Sequence, residues 1–239
     1  MTQRLAYLDD TFLLSHESVI ADSGGDEHGD YIIVEDCIFY PQGGGQPWDT
    51  GELSVQGKVH SVDAVRFAEG SARIYSRGAT DLAVGSSLTQ LVDRKRRLVN
   101  STSHTMGHLV ANVVETLYPN YVARKGYHFP EGSYVEFSGE MPESNAKFLD
   151  KLNEKIAESL SQNLRISTKQ VSLSELQQIC SNVPTGLPVD KPLRVVQIGN
   201  YDAIPCGGTH LNSLSADIEV AVTKIKRKKP NIRVSYQEK

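Results

Sequence analysis

Residues 100–117, NSTSHTMGHLVANVVETL, are where the hydrophobic pattern of the chain changes from short β-prone stretches to that of a helix. Asn100 or Ser101 can cap this helix, and the Tyr-Pro-Asn sequence that follows should end it. His104 and His108 lie within it, one helical turn apart. Residues i and i+4 of a helix share one face, so both imidazoles can reach a single ion.

A second pair, Cys206 and His210, lies in the segment CGGTHL at residues 206–211. Its two glycines and the preceding proline favour a tight loop, which would bring the thiolate and the imidazole together. Three imidazoles and one thiolate form a borderline-soft ligand set that suits zinc better than magnesium or calcium. Such pairs are unusual in a chain with 7 His and 3 Cys. The sequence therefore predicts a zinc site formed by His104, His108, Cys206 and His210.

Two alternatives to a catalytic zinc stay open. Each pair alone also fits ordinary packing, because buried His and Cys residues are common in protein cores. Four protein ligands describe a closed structural site, whereas a catalytic zinc keeps one position open. Either His210 lies off the metal, or the ion takes a fifth ligand when substrate arrives. A structural zinc that only braces the domain is the remaining alternative.

The pattern predicts an α+β protein with two domains that meet near Asp93. Residues 1–93 predict a small barrel or sandwich, which we assign as a β-barrel-like domain. Residues 94–239 predict a two-layer α+β domain that holds the zinc site. Its further predicted elements are a helix from Pro142 to about Asn163, a short helix capped by Ser172 and Glu175, a strand at 193–198, and a hairpin of 217–226 and 232–236. The strands predicted in the first domain are 31–35, 51–55, 58–67 and 72–76.

Composition is that of an ordinary globular protein. Hydrophobic residues make up 39% and charged residues 23% of the 239 positions. We expect no export, because the first residues lack a basic segment followed by a long apolar run, and no stretch has transmembrane length. Cys37 and Cys180 are expected to be packing residues in a reducing compartment. These features predict a cytoplasmic protein without membrane association, and they leave the oligomeric state open.

Two basic runs stand out against a net charge of −4. One precedes the His104 helix and the other lies near the carboxy terminus. Either run alone would fit a solvated face, but both lie beside elements of the predicted metal site or a hairpin near it. We therefore predict that they contact nucleic-acid phosphates. The residues of this predicted interface are Arg94, Lys95, Arg96, Arg97, Lys224, Lys226, Arg227, Lys228 and Lys229.

The glycines at 43–45 do not form a nucleotide-binding loop, because the Lys-Ser/Thr pair and the following helix are missing. They are better suited to letting the backbone pass close to another surface. Gln46, which follows, supplies both a donor and an acceptor for a buried polar contact. The alternative is a tight turn before Pro47 and Trp48.

Three segments carry a family resemblance: YPQGGGQP at 40–47, RLVNSTSHTMGHL at 97–109, and CGGTHL at 206–211. They resemble the alanyl-tRNA editing proteins called AlaX, the editing domain of alanyl-tRNA synthetase and, more distantly, that of threonyl-tRNA synthetase. The motifs occur in the family's order over nearly the whole chain. Nothing in the sequence resembles an aminoacylation domain, so we expect no synthetase activity. The resemblance implies that the triglycine loop leans toward an editing pocket, where Thr105, Gln46 and Thr209 are the candidate catalytic polar groups.

The chemistry predicted is hydrolysis of an aminoacyl ester. The helix lacks the Glu of an H-E-x-x-H peptidase, since Thr105, Met106 and Gly107 fill the interval. An ester is more labile than an amide, so a metal that polarises the carbonyl can suffice. With the resemblance, this predicts a trans-editing deacylase for Ser-tRNA(Ala) or Gly-tRNA(Ala). The alternatives are a deacylase for another aminoacyl-tRNA or aminoacyl ester, and a non-catalytic zinc-braced RNA-binding module.

Overall fold

A computed structural model describes residues 2–142 and 144–238 and shows a mixed α/β protein. The chain divides into two units, Met1–Ser101 and Thr102–Lys239. The division falls inside the first helix, α1 (Arg94–Leu117), eight residues after Asp93, and the domain boundary expected near Asp93 stays a prediction. None of the helices in the described ranges is both long and apolar enough to cross a membrane.

The first unit is built on antiparallel strands. They are β1 (Arg4–Leu5), β2 (Ser15–Asp26), β3 (Gly29–Val34), β4 (Asp36–Cys37), β5 (Gly51–Val55), β6 (Lys58–Val62), β7 (Ala64–Ala68), β8 (Ser71–Tyr75) and β9 (Ser87–Val92). Seven of them form one sheet in the order β6-β5-β9-β2-β3-β8-β7, while β1 and β4 form a separate parallel pair. Alternate residues of β9, namely Leu88, Gln90 and Val92, are buried, as expected for a strand with one face on a core.

The barrel alternative predicted for residues 1–93 is not confirmed, because no closed barrel is present in the described residues. The stretch 58–67, predicted as one strand, is interrupted at Asp63. Its two halves, β6 and β7, pair with β5 and β8 respectively and form the two edges of the sheet. A barrel requires its two edge strands to pair with each other. The sheet of this unit is therefore open.

The second unit combines the rest of α1 with two further helices and two antiparallel sheets. The helices are α2 (Asn145–Ser161) and α3 (Leu173–Ile179), and the strands are β10 (Val122–Tyr127), β11 (Tyr134–Ser138), β12 (Ile166–Val171), β13 (Leu193–Ile198), β14 (Ile204–Pro205), β15 (Val220–Lys228) and β16 (Asn231–Glu238). The sheet orders are β10-β11-β16-β15 and β12-β13-β14. Strand β13 and the terminal hairpin confirm the predictions made for them.

The helices begin where their caps lie. Helix α1 starts six residues before the expected cap at Asn100: the backbone N–H of Arg96 donates to Asp93 Oδ1 at 3.1 Å. Helix α2 is capped by Ser144, so Pro142 lies outside it, contrary to the prediction. The capping box predicted for α3 at Ser172 is present.

Helix α1 runs through the core of the second unit. Every residue from 103 to 114 is buried, and its apolar side chains pack with those of α2 and both sheets. A helix buried on all sides is normally apolar all round. The two histidines, a serine, a threonine and an asparagine buried in this stretch therefore require polar partners, which points to a site at this position.

Candidate metal centre

The four predicted ligands come together in the second unit. One potential ligand atom from each of His104, His108, Cys206 and His210 lies within 4.8 Å of all the others. Cys206 Sγ is 3.5 Å from His104 Nε2 and 3.4 Å from His210 Nε2. A tetrahedral zinc with ordinary bond lengths separates sulfur from nitrogen by about 3.6 Å. The spacing and the donor types both fit that ion.

Helix α1 presents His104 and His108 one turn apart, with ring centroids 5.0 Å from each other. The His210 ring lies 4.4 Å from that of His104 and 4.5 Å from that of His108. All three imidazoles are buried and Cys206 is half-buried. The prediction that the two sequence pairs meet at one point is confirmed.

Arg194 of β13 fixes the loop that carries Cys206. Its guanidinium donates to the carbonyl oxygens of Cys206 at 2.7 Å and Gly208 at 3.1 Å, and its own carbonyl accepts the Cys206 N–H at 3.0 Å. The N–H of Gly208 donates to Cys206 Sγ at 3.2 Å. Hydrogen bonds to its backbone groups and to the Cys206 sulfur therefore fix the conformation of the loop.

Burial keeps the imidazoles neutral. It lowers the pKa of His104 and of His210 well below the ordinary value, and that of His108 to about 3. Burial also raises the pKa of the Cys206 thiol, opposed by the Gly208 N–H and the Arg194 charge. Neutral imidazoles have a lone pair free for a metal, and an ion that binds Cys206 must displace its proton.

Thr105 acts on His210. Its hydroxyl lies 3.2 Å from His210 Nδ1 and accepts the backbone N–H of Leu211 at 3.1 Å. A metal on Nε2 requires the proton on Nδ1, which can then donate to Thr105 Oγ1. Thr105 is fully buried in this position. In this position Thr105 can orient a ligand, and its expected role as a catalytic pocket group stays a prediction.

The other two polar groups expected in the pocket are placed differently. Thr209 is buried in the loop between Gly208 and His210. Gln46 belongs to the first unit, where its backbone pairs with that of Gly43 in a tight turn, with N···O distances of 2.8 and 3.2 Å. Gly44 and Gly45 have positive φ angles in this turn, a conformation that glycine adopts readily. The tight-turn alternative is thus present, and the pocket roles of Gln46 and Thr209 stay predictions.

Sequence reasoning missed His128. Its ring is stacked on that of His104, with centroids 4.4 Å apart and planes 20° apart. Its Nδ1 lies 2.7 Å from the Tyr236 hydroxyl, which donates to the Ser103 carbonyl at 2.9 Å. A Cβ at Gly107 would come within 2.2 Å of the His128 ring. The glycine between the two ligands of α1 therefore makes room for this fourth imidazole.

Two buried polar atoms beside the metal centre lack partners in the described part of the chain: His108 Nδ1 and Asn112 Oδ1. Asn112 lies one helical turn after His108. It also lines a polar cavity of about 580 Å³, whose other walls include Glu115, Tyr201 and Asp202. Burial raises the pKa of the Glu115 carboxyl. This cavity adjoins the ligand-bearing face of α1.

The basic run at the start of α1 contains one wrong prediction. Arg97 is 1% exposed, and its guanidinium forms an ion pair with the buried Asp49 at 2.5 Å and donates to the carbonyls of Thr11 and Ile38. A guanidinium that is buried and already bound to these groups is not accessible to a phosphate. Arg96 is half-buried: its Nε donates to the Trp48 carbonyl at 2.8 Å. The remaining predicted RNA-contact residues are exposed, namely Arg94, Lys95, Lys224, Lys226, Arg227, Lys228 and Lys229.

Comparison with known proteins finds alanyl-tRNA editing proteins and alanine–tRNA ligases among the relatives. The chain is 28% identical to the alanyl-tRNA editing protein AlaX-M of Methanosarcina mazei, over 99% of this chain and 96% of that protein. It is 28% identical to the alanyl-tRNA editing protein Aarsd1 of Rattus norvegicus, over 85% of this chain and 48% of that protein. It is 27% identical to the alanine–tRNA ligase of Thermoplasma acidophilum, over 98% of this chain. No protein-family model matches.

The match to the AlaX-M proteins covers nearly the whole of both chains and confirms the resemblance carried by the three motifs. The chain spans about a quarter of the length of the alanine–tRNA ligases it matches.

Proposed function

We propose that this protein is a trans-editing deacylase that hydrolyses the ester of mischarged Ser-tRNA(Ala) or Gly-tRNA(Ala) with the help of a bound zinc. The observation that carries the proposal is the buried cluster of three neutral imidazoles and one thiol at tetrahedral spacing. Its support is the match along nearly the whole chain to a protein named for alanyl-tRNA editing. Because the proposed substrate is a tRNA charged in the cytoplasm, we propose that the protein acts in that compartment.

The zinc would be held by His104, His108, Cys206 and His210. Either His210 would lie off the metal, or the ion would take a fifth ligand when substrate arrives. When bound, the metal supplies Lewis acidity that polarises the ester carbonyl or lowers the pKa of a water molecule. The chain's own residues set the geometry: Thr105 orients His210 and Arg194 holds the loop of Cys206. The cluster contains no carboxylate. A labile ester suits a site without a dedicated carboxylate base.

Discrimination between serine and alanine would come from unpaired polar groups. A site that hydrogen-bonds the serine hydroxyl leaves its own donors or acceptors unsatisfied when alanine occupies the same place. Thr209 and Gln46 are the proposed polar groups. Correctly charged Ala-tRNA(Ala) would therefore survive, while the seryl ester is cleaved.

The experiment is a panel of charged tRNAs incubated with the purified protein. Ser-tRNA(Ala) and Gly-tRNA(Ala) should be hydrolysed and Ala-tRNA(Ala) spared, and Cys206→Ala should abolish the reaction and most of the bound zinc. Cys180→Ala is the matched control, since Cys180 is also a shielded thiol but lies in a different apolar cluster. Hydrolysis of all esters at equal rates would contradict the substrate assignment.

The second candidate is a non-catalytic, zinc-braced RNA-binding module. One observation favours it: four protein ligands complete a tetrahedron and leave no open position. Under this alternative, the folded and zinc-loaded protein would bind tRNA but cleave none of the panel. The same experiment therefore separates the two candidates.

A further inference from the structure

The four-stranded sheet of the second unit has one face on the core and one face away from it. Val135 and Phe137 of β11 and Val234 of β16 are buried in the core. Because side chains alternate along a strand, Tyr134 and Arg233 lie on the opposite face, which we call the outer face. The register of the sheet decides which other side chains join them there.

Two cross-strand rows cover the outer face. The residues of the first row, from β10 to β15, are Tyr127, Tyr134, Ser235 and Lys224. The residues of the second row, in the same order, are Lys125, Glu136, Arg233 and Lys226. Lys228 follows on the same side of β15. The outer face therefore combines aromatic rings with five cationic side chains and one carboxylate.

The aromatic groups form a continuous stack. The Tyr127 ring lies 4.5 Å from Phe129 with planes 11° apart, and 5.1 Å from Tyr134 with planes 14° apart. The Arg233 guanidinium lies 3.6 Å from the centroid of the Tyr134 ring. Four flat groups are thus aligned in advance, from Phe129 at one end to Arg233 at the other. A further flat group can extend such a stack without new ordering of the protein.

The outer face carries more cationic side chains than carboxylates. Glu136 is paired with Arg233 at 2.8 Å, whereas the lysines of β15 have no carboxylate partner in residues 144–238 or 2–142. Lys224 lies close enough to Lys226 to lower the pKa of its ammonium group, and Arg233 adds to this effect. Crowded like charges without an anion raise the energy of the free protein. A polyanion that binds here relieves that repulsion.

We propose that the outer face binds unpaired RNA, with bases extending the stack of Phe129, Tyr127, Tyr134 and Arg233 and with phosphates on Lys125, Lys224, Lys226 and Lys228. The proposal rests on the proposed function, in which the substrate is a tRNA. Unpaired RNA is required because a duplex hides the faces of its bases. A four-stranded sheet that stacks bases on aromatic side chains, with helices on its other face, is an established solution for single-stranded RNA.

The test measures binding of an uncharged tRNA transcript by fluorescence anisotropy across a range of salt concentrations. Lys224→Ala with Lys226→Ala should weaken binding and lower the slope of log K against log salt by about 1.4, at about 0.7 for each lost single-strand phosphate contact. Phe129→Leu should weaken binding by about fivefold or more at every salt concentration with an unchanged slope, since stacking is not ionic.

Matched controls separate this surface from general effects. Lys151→Ala with Lys169→Ala removes two exposed lysines elsewhere, and Phe67→Leu replaces an exposed phenylalanine of the first unit. Both should bind like wild type. A fully paired RNA duplex should bind without the Phe129 effect. Melting temperature and zinc content of each variant confirm that the fold is intact, and Phe129→Tyr should restore binding.

The outcomes distinguish this proposal from the proposed function. If wild type hydrolyses Ser-tRNA(Ala) but the Lys224/Lys226 and Phe129 variants bind tRNA as wild type does, the outer-face proposal is wrong and the deacylase stands. If the variants bind weakly but wild type cleaves no ester, the outer face stands and the deacylase is wrong. An equal loss with the fully paired duplex and with the tRNA transcript would overturn the requirement for unpaired bases.

Discussion

At the scale of single residues, the metal ligands are oriented by neighbours of three different kinds. Thr105 hydrogen-bonds His210, His128 stacks on His104, and Arg194 holds the loop of Cys206. Substitution of partners that orient a ligand commonly costs about 10–100-fold in metal affinity or activity. Substitution of these neighbours should therefore change metal binding while leaving all four ligands in place.

Gly107→Ala tests the space occupied by His128. Alanine is favoured over glycine in a helix by about 1 kcal/mol, so helix propensity alone predicts a more stable protein. Its Cβ, however, would lie 2.2 Å from the His128 ring. We expect this clash to prevail and to lower both the melting temperature and zinc affinity in a chelator competition. Gly132→Ala is the control, because its Cβ would meet nothing within 4 Å. Unchanged zinc affinity in Gly107→Ala would contradict the stacked arrangement.

Tyr236→Phe tests the hydroxyl that links His128 to α1. The substitution keeps the buried ring but leaves His128 Nδ1 and the Ser103 carbonyl without their partner. Loss of a partner for buried polar groups costs about 1–3 kcal/mol of unfolding free energy, measurable by urea denaturation. Tyr118→Phe, whose hydroxyl has no hydrogen bond in the described structure, should change stability little. Equal effects of the two substitutions would show that the Tyr236 hydroxyl has no special role.

At the scale of secondary-structure elements, the start of α1 depends on a buried ion pair. Arg97→Ala would leave the Asp49 carboxylate buried without its cation. Breaking one side of such a pair costs about 3–5 kcal/mol. Arg94→Ala, at an exposed position of the same turn, should cost little. Urea unfolding measures both. A stable Arg97→Ala protein with weakened tRNA binding would instead restore Arg97 to the RNA interface.

The elements that the sequence predicts well are those with local signals. The four ligands are recognisable because each pair lies within one turn or one loop, and α3 because its capping box is contiguous. The partners of the ligands are not recognisable in this way. His128 and Tyr236 meet α1 only after the sheet of β10, β11 and β16 has formed, so no local spacing reveals them.

The seven-stranded sheet of the first unit also depends on pairings that local sequence patterns do not reveal. Strand β2 was missed because its sequence, SHESVIADSGGD, contains polar and glycine residues that propensity disfavours in strands. Its pairing with β3 and β9 stabilises it in spite of that composition. The break at Asp63, which turns an expected barrel into an open sheet, depends likewise on pairing with distant strands.

At the scale of the whole molecule, the buried histidines predict loss of stability in acid. Burial lowers the pKa of His108 to about 3 and that of His128 to about 4, and it lowers those of His104 and His210 as well. In the unfolded chain these groups take up protons near pH 6.5. The folded metal-free protein is therefore fully stabilised above about pH 6.5 and loses stability as pH falls below it, by up to about 1.4 kcal/mol per pH unit for each histidine.

Urea unfolding of the metal-free protein at pH 7.5, 6 and 5 measures this loss of stability. These pH values lie above those at which most carboxylates take up protons. His128→Asn should make the decline shallower. Equal stability at pH 7.5 and 5 would mean that the imidazoles are not held neutral by burial.

The central claim is that the His104, His108, Cys206 and His210 cluster holds a metal that serves hydrolysis and does not merely brace the fold. The most direct measurement compares Ser-tRNA(Ala) hydrolysis by zinc-loaded, zinc-stripped and zinc-restored protein, with circular dichroism and tRNA binding followed in parallel. We expect the stripped protein to stay folded, still bind tRNA and lose at least ~100-fold in hydrolysis, and we expect zinc to restore hydrolysis. Full activity without metal, or unfolding that removes tRNA binding and hydrolysis together, would contradict this claim.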